Sequence, residues 1–412
     1  TPPGPGTAPA PPSEREGTTL RALLRPHGTL ADLCTGRANS FGAVRLLLAV
    51  AVVVSHVYPL GWGRLDPLWN WSGHQTDFGK SAVLGFFALS GFMITGSAAA
   101  LSPLRFAWHR ALRILPGLWG SLLVCALALV PLLYFFQHGS LTGFWNRPDG
   151  PLSYLSSLGS TSPAAGWDIS GVLAEGIRRS TNFDRSLNGA LWSLKYEILC
   201  YALAGLLAAL GLLRGRLVVP ALALALWLMI AGGLADLPSP GSPLVGPGVA
   251  VPVLGQLSGY LLVHLGFVFL LGAGLRLWAD RIPVDDRLAL AAGIVLAGTL
   301  YWRGYPVLGH PALVYLLFWA AARLPRRFQA VGRRHDYSYG VYIYGFPVEQ
   351  AAALLGFARF GVLGFFAAAM TATLALAAFS WHVVEEPAMR LRNWAPGPRG
   401  SAEGARPAKA GS

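Results

Sequence analysis

Ten long apolar segments occupy most of this chain and are separated by short polar connections. They cover residues 41–60, 78–99, 114–136, 189–212, 217–236, 255–277, 287–302, 307–322, 338–355 and 360–382. A helix that crosses the hydrocarbon core of a bilayer needs about 20 predominantly apolar residues. Charged residues make up only 12% of the chain, whereas soluble domains carry roughly 25%. The sequence therefore predicts an all-α, polytopic membrane protein with about ten transmembrane helices.

Basic residues are distributed unevenly over the connections between these segments. With the N-terminus inside the cell, the short inner loops contain Arg105, Arg110, Arg113, Arg214, Arg216, Arg276, Arg281, Arg323, Arg326, Arg327, Arg333 and Arg334. The short outer connections contain Arg64, Lys80, Arg303 and Arg359. Because Lys and Arg are enriched in cytoplasmic loops, this asymmetry predicts a multi-pass protein of the cell membrane with both termini in the cytoplasm.

The formal net charge of +13 is explained by the same loops. Arginines there follow from topology and from contact with anionic headgroups, so membrane lipids are expected partners and a nucleic acid is not. Cys34, Cys125 and Cys200 lie far apart and form no CxxC pair. This spacing indicates neither a disulfide framework nor a metal site. The sequence does not indicate the oligomeric state.

Composition divides the chain into three regions. Residues 1–17 and 395–412 are rich in Pro, Gly and Ala, which is typical of disordered segments. We expect a disordered or weakly ordered cytoplasmic segment over residues 1–39, a transmembrane domain over 40–392 and a disordered cytoplasmic tail over 393–412. We expect no signal peptide, and the lack of an evident internal repeat weakens a transporter built from duplicated halves.

The first apolar segment contains an arginine and a histidine. Arg45 and His56 are eleven residues apart, so at about 100° per residue both side chains project from one helix face, ~16 Å apart. A charged residue inside a bilayer is tolerated mainly when it faces a polar cavity or a partner. The pair therefore predicts a polar passage among the helices, with Arg45 near its inner end and the titratable His56 toward its outer end.

Five further motifs follow in order along the chain. They read FFALSGFMIT at 86–95, RFAWHRALRILP at 105–116, NGALWSLKYEILCY at 188–201, SYGVYIYGFP at 338–347 and VEEP at 384–387. With Arg45 and His56, they resemble the membrane acyltransferase 3 family, the O-acetyltransferases of cell-surface polysaccharides, over roughly residues 40–392. Three positions depart from the family pattern. His109 precedes Arg110 where adjacent basic residues are usual, Lys195 is an unexpected cation within the fourth-segment motif, and Gly345 stands where many relatives carry a histidine.

The resemblance implies transfer of an acyl group, usually acetyl, to a hydroxyl of a carbohydrate or glycan precursor. Acetyl-CoA or another acyl-CoA would serve as co-substrate on the cytoplasmic side, with no permanently bound cofactor. The alternative from another class is a secondary transporter or flippase of a glycan or small metabolite, because buried charges also mark translocation paths. The sequence does not identify the sugar.

His56 is the candidate general base of the predicted reaction. Acyl transfer to an alcohol needs a group that removes the hydroxyl proton, and the unperturbed pKa of histidine lies closest to neutrality. The alternatives are a structural histidine bonded to a backbone carbonyl and a transient acyl carrier. Glu197, predicted near the outer end of the fourth segment, is the candidate catalytic carboxylate that orients the imidazole. Its alternative is a structural ion pair, for instance with Lys195.

Candidate binding residues lie on both sides of the predicted passage. Arg45, Arg105, Arg110 and Arg113 are expected to bind the phosphate or pantetheine portion of the donor, because guanidinium groups match phosphate oxygens. Their alternative role is to set the topology.

Trp192 and Ser193 are expected to contact substrate. Ser193 is predicted on the helix face that carries Glu197, and the alternative for Trp192 is an interfacial anchor. Ser90 and Gly91 interrupt the second segment and indicate close helix packing, with the lining of an acyl passage as the alternative.

Overall fold

Helices make up most of the structure. It is a computed structural model that describes residues 26–34, 39–156, 169–173, 186–235, 248–251 and 254–394. The α-helices are α1 Leu30–Cys34, α2 Phe41–Trp62, α3 Pro67–Trp71, α4 Phe78–Ala100, α5 Pro103–Val124, α6 Val130–His138, α7 Pro151–Ser156, α8 Leu194–Ala209, α9 Val218–Ala231, α10 Gly259–Leu277, α11 Asp286–Trp302, α12 His310–Arg323, α13 Ser338–Leu354, α14 Gly361–Ser380 and α15 Glu386–Arg390.

Short irregular helices extend several of these elements. The π-helical segments are Cys125–Leu129, Tyr305–Gly309 and Trp381–Glu385, and the 3-10 segments are Gly189–Ser193, Leu212–Gly215, Arg326–Ala330, Phe357–Phe360 and Leu391–Trp394. Among the described residues, four strands form two antiparallel pairs. They are β1 Pro26–Thr29 with β4 Pro283–Asp285, and β2 Gly248–Val251 with β3 Gly255–Ser258.

The predicted class, an all-α polytopic membrane protein, is confirmed. Within the described residues, seven helical stretches are long and apolar enough to cross a membrane: Phe41–Trp62, Phe78–Ala100, Pro103–His138, Gly189–Ala209, Gly259–Leu277, Tyr305–Arg323 and Phe357–Trp394. The other three predicted segments contain α9, α11 and α13, with 14, 17 and 17 residues. At 1.5 Å per residue these helices are shorter than a typical bilayer core of about 30 Å, so ten spans remain a prediction.

Two stretches differ locally from the sequence-based expectation. Residues 26–34, within the N-terminal segment expected to be disordered or weakly ordered, form β1 and α1. Strand β1 pairs with β4, and Leu30 and Cys34 bury one face of α1, so nonlocal contacts order this stretch. Residues 255–258 were assigned to the sixth helix but form β3, paired with β2. The rest of the predicted N-terminal segment, residues 1–25 and 35–38, lies outside the described residues, as does the tail from residue 395.

Asp66 fixes the end of α2 that lies beyond His56. Its carboxylate is buried and accepts hydrogen bonds from Ser55 Oγ at 2.5 Å and from Phe78 N at 2.9 Å. It also accepts one from Leu68 N at 3.0 Å, which caps α3. A single side chain thus connects α2, α3 and the first residue of α4, because a buried carboxylate needs several donors.

A close helix contact in the core joins α4 to α10 through two glycines. A Cβ atom at Gly91 would lie 1.9 Å from the Phe269 carbonyl oxygen, and one at Gly272 would lie 1.9 Å from the Ala88 oxygen. Small residues allow membrane helices to approach to backbone contact. The predicted packing role of Gly91 is therefore confirmed, and α4, the most buried of the seven long helices, is held centrally by this contact.

Two glycines on α10 provide a matched test of this packing. Gly272→Ala should lower the free energy of unfolding by about 1–3 kcal/mol, because the added methyl group forces α4 and α10 apart. Gly274→Ala should be neutral or slightly stabilising, because open space surrounds that position and alanine favours helix. Thermal unfolding of both purified variants in detergent measures the difference. Equal unfolding temperatures would contradict the proposed contact.

Candidate active site

A cavity of about 360 Å³ opens among the helices at the end of α2 that carries Arg45. It is called here the donor cavity, after the sequence-based prediction that arginines in this region bind an acyl donor. Its polar and charged lining consists of Arg45, Ser90, Arg110, Arg113, Ser193, Glu197, Tyr201, Asp336, Ser338, Tyr339 and Tyr342. Aromatic and aliphatic side chains of α4, including Phe86 and Met93, complete the wall. The cavity therefore combines a charged end with an apolar interior, as a site for a ligand with a charged head and a long arm requires.

Asp336 lies at the centre of the charges in this cavity. Its Oδ2 atom is 3.0 Å from Arg45 Nη2 and 2.5 Å from Arg113 Nη2, and its Oδ1 atom accepts a hydrogen bond from Ser338 Oγ at 2.6 Å. Burial opposes its ionisation, but the guanidinium groups of Arg113 and Arg45, together with the Ser338 hydrogen bonds, outweigh burial and lower the pKa of Asp336. Arg113 also pairs with Glu385 at 3.4 Å.

Arg110 differs from these two arginines because it lacks an acidic partner within 4 Å among the described residues. Its guanidinium lies 6.0 Å from the centre of the Phe106 ring and 5.9 Å from that of Tyr201. The Tyr201 hydroxyl donates a hydrogen bond to Glu197, so a carboxylate, a phenol and a guanidinium follow one another along the wall. Arg110 is thus the cavity arginine most available to an anionic ligand.

The four arginines expected to bind the donor do not form one cluster. Arg45, Arg110 and Arg113 line the donor cavity, whereas Arg105 is 6% exposed and is not part of the lining. Arg45 and Arg113 are engaged by Asp336. Arg45 and Arg113 therefore take part in ion pairs within the protein, whereas Arg110 does not among the described residues. All four arginines nevertheless lie near one end of α2 and α5.

His56 lies toward the other end of α2 and faces a buried carboxylate. Its Nδ1 atom is 3.6 Å from Glu349 Oε2, and its ring packs edge-on against Phe346 at 4.9 Å. Glu349 is fully buried, and neither of its oxygens has a hydrogen-bond partner in the described structure. A separation of 3.6 Å is longer than a hydrogen bond, but in unliganded enzymes such contacts often shorten only when substrate binds.

Helices α2 and α13 are paired through ionisable groups at two levels. Arg45 pairs with Asp336, two residues before α13, and His56 pairs with Glu349 within it. The predicted common face of Arg45 and His56 is therefore the face turned toward α13. Of the two residues, Arg45 lines the donor cavity and His56 does not.

Glu197 is not where the sequence interpretation placed it. We expected it beside His56, but it lines the donor cavity with Arg110, and its carboxylate accepts from Tyr201. The carboxylate beside His56 is Glu349, which the sequence interpretation missed. The available signal was an acidic residue within the ninth apolar segment, two positions after the SYGVYIYGFP motif. The expected alternative partner, Lys195, instead donates to the Gln256 carbonyl oxygen.

Trp192 and Ser193 are adjacent in sequence but face different spaces. The Ser193 hydroxyl lies 2.6 Å from the Tyr342 hydroxyl and lines the donor cavity. Trp192 instead borders a smaller space between α4, α10 and α12, with Lys80 and His310. The two residues are therefore not combined in one substrate contact. Asn188 Nδ2, which donates to the Ile343 oxygen at 2.9 Å, holds this segment against α13.

Comparison with known proteins assigns this arrangement to a class of enzyme. Residues 39–382 match the family described as an acyltransferase domain. The chain therefore belongs to the acyltransferase 3 family, as its motifs predicted, and it is a multi-pass membrane acyltransferase.

Two relatives match nearly their whole length. The chain is 28% identical over 387 residues to Nodulation protein 10 of Rhizobium leguminosarum bv. viciae, covering 87% of this chain and 95% of the relative. It is 26% identical over 354 residues to an O-acetyl transferase of Shigella phage Sf6, covering 85% and 96%. No solved structure matches the chain significantly.

Removing the charge of Asp336 should destabilise the protein. Asp336→Asn leaves the buried guanidinium of Arg45 without its counter-ion, which typically costs about 3–5 kcal/mol of stability. Thermal unfolding in detergent measures the loss. The control is Asp280→Asn, which removes the acidic partner of Arg216 in an exposed pair and should leave the unfolding temperature nearly unchanged. Similar unfolding temperatures for the two variants would contradict the central role of Asp336.

Proposed function

We propose that the protein transfers an acyl group, usually acetyl, from acyl-CoA to a hydroxyl of a carbohydrate or glycan precursor, with His56 as general base. The observation that carries this proposal is the pairing of His56 with the buried carboxylate of Glu349 within a chain of the acyltransferase family. Ionisable groups inside an apolar helix bundle carry a free-energy cost, and where they occur they commonly mark functional sites. The name of the phage relative, an O-acetyl transferase, supports transfer to oxygen.

The reaction at His56 requires one proton transfer and one exchange of bonds. With Nδ1 directed at Glu349, the other ring nitrogen, Nε2, is left to accept the proton of the acceptor hydroxyl. The hydroxyl oxygen then attacks the thioester carbonyl carbon, an ester C–O bond forms and the C–S bond breaks. The imidazolium returns the proton to the departing sulfur, which yields free CoA.

Glu349 supports the base by position and charge. Its carboxylate lies on the Nδ1 side of the ring, where it favours the tautomer that leaves Nε2 unprotonated and stabilises the imidazolium formed during transfer. Glu197 has a different role in this proposal. Beside Tyr201 and Arg110, it adjusts the charge of the donor cavity.

The donor approaches from the Arg45 end, which we propose faces the cytoplasm. The uneven distribution of arginines over the loops supports this orientation. Arg110, which has no acidic partner among the described residues, provides a phosphate contact within the donor cavity, and the apolar wall accommodates the pantetheine arm. Acyl-CoA is then a co-substrate that enters and leaves in each cycle.

Replacing the proposed base should strongly reduce the rate of transfer without loss of the fold. His56→Ala should lower the transfer rate by about 10²–10⁴-fold, the usual contribution of general-base catalysis, while acetyl-CoA binding changes little. In the wild type the rate should rise with pH as the imidazole loses its proton. The measurement is label transfer from acetyl-CoA to a crude cell-surface polysaccharide fraction.

The control for this variant is a buried histidine at another position. His264→Ala removes an imidazole on α10 that is 4% exposed and lies 3.1 Å from the Ala235 oxygen. Per folded molecule it should retain most of the wild-type rate. A folded His56→Ala protein that keeps more than about a tenth of the wild-type rate would exclude the base assignment, given the range expected of a general base.

Two glutamate variants separate support of the base from donor binding. Glu349→Gln should reduce kcat and alter its pH profile, with the KM for acetyl-CoA nearly unchanged, because the affected pair lies outside the donor cavity. Glu197→Gln should mainly change the KM for acetyl-CoA, because Glu197 lines that cavity beside Arg110. Steady-state kinetics of both variants provide the measurement. If Glu197→Gln instead reduced kcat and Glu349→Gln changed the KM, the result would contradict Glu349 as the partner of His56 and would favour Glu197 in that role.

A further inference from the structure

A groove next to the donor cavity contains a guanidinium that has no acidic partner among the residues the structure describes. Arg276, near the C-terminal end of α10, lines it together with Asn39, Arg45, Gln329 and Arg333. We propose that this groove, called here the Arg276 groove, binds the nucleotide phosphates of the acyl-CoA donor. This inference rests on the proposed function, which makes acyl-CoA the donor.

The position of Arg276 depends on a glycine of the neighbouring helix. A Cβ atom at Gly96 of α4 would lie 2.6 Å from Arg276 Nε, so the absence of a side chain there gives the guanidinium its room. The guanidinium also lies 5.6 Å from the centre of the Phe92 ring, an arrangement that stabilises a cation without neutralising it. Arg276 is therefore held against α4 and keeps its charge available.

Arg276 contrasts with other arginines that have acidic partners. Arg216 pairs with Asp280 at 3.2 Å, and Arg323 pairs with Asp286 at 3.3 Å. Among the described residues, no carboxylate lies within 4 Å of the Arg276 guanidinium. The groove lining also contains no aspartate or glutamate. A cation in such surroundings favours an external anion, and a planar guanidinium forms paired hydrogen bonds to phosphate oxygens.

The Arg276 groove and the donor cavity share part of their lining. Arg45 and Met93 border both spaces. Phosphates held at Arg276 therefore leave the pantetheine arm directed past Met93 into the cavity, along the three helical turns that separate Arg45 from His56. The charged end of acyl-CoA then remains at the end of the helices, and its thioester extends toward the proposed base.

Binding of two donor compounds tests the assignment. Arg276→Gln should raise the Kd for acetyl-CoA roughly 10- to 100-fold, the loss expected for a charge-assisted contact to phosphate. The Kd for S-acetylpantetheine, which lacks the nucleotide phosphates, should stay unchanged. Isothermal titration of the purified full chain in detergent measures both constants. Arg281→Gln is the control, because Arg281 stacks on Trp278 at 4.8 Å and lies outside the groove lining.

A conservative variant separates the loss of a phosphate contact from misfolding. Arg276→Lys keeps the charge without the planar fork and should give an intermediate Kd for acetyl-CoA.

An anionic lipid headgroup offers the same phosphate chemistry. If Arg276→Gln loses affinity for phosphatidylglycerol vesicles but binds acetyl-CoA as the wild type does, the groove is a lipid site and the assignment is overturned.

The remaining outcomes separate this assignment from the proposed function. Equal losses of acetyl-CoA and S-acetylpantetheine binding in Arg276→Gln would show a structural effect and overturn the phosphate site. Unchanged affinity for both compounds would overturn it as well. Wild-type protein that binds neither compound overturns the proposed function and, with it, this inference.

Discussion

The ion pairs of Asp336 are the interaction on which the arrangement of the charged residues depends. One carboxylate joins Arg45 of α2 to Arg113 of α5 just before α13 begins. A buried cation is tolerated when a counter-ion satisfies it, so Asp336 allows two arginines to remain among apolar helices. Because these two are neutralised, Arg110 and Arg276 are distinguished as cations with capacity for an external anion. In our proposal, structural and ligand-binding arginines thus occupy the same end of the protein.

The second constraint is the separation of the charged centres along α2. Arg45 and its partner border the donor cavity, while His56 and Glu349 lie further along the same two helices and outside its lining. Phe86 and Tyr342, whose ring centres are 5.7 Å apart, line the cavity. In our proposal the phosphates of acyl-CoA remain at the level of Arg45, and the thioester reaches the level of His56.

Much of the fold and part of the candidate site could be predicted from the sequence. Apolar length predicted the helices, and helical periodicity predicted the common face of Arg45 and His56, because both depend on local sequence. Glu349 and the position of Glu197 could not be predicted in the same way. Which carboxylate meets an imidazole depends on how α2, α8 and α13 are rotated and packed, and spacing within one segment does not contain that information. The ordered structure of residues 26–34 could not be predicted for a similar reason, because it depends on the pairing of β1 with β4.

Our central proposal is that acyl transfer to a hydroxyl consumes acyl-CoA. The most direct measurement uses purified protein, acetyl-CoA labelled in the acetyl group and a crude cell-surface polysaccharide fraction as acceptor. We expect free CoA to be released only when acceptor is present, with an equal amount of label in alkali-labile esters on the polysaccharide. Label that crosses a vesicle membrane without release of CoA, and without ester formation, would contradict the account and favour a transporter.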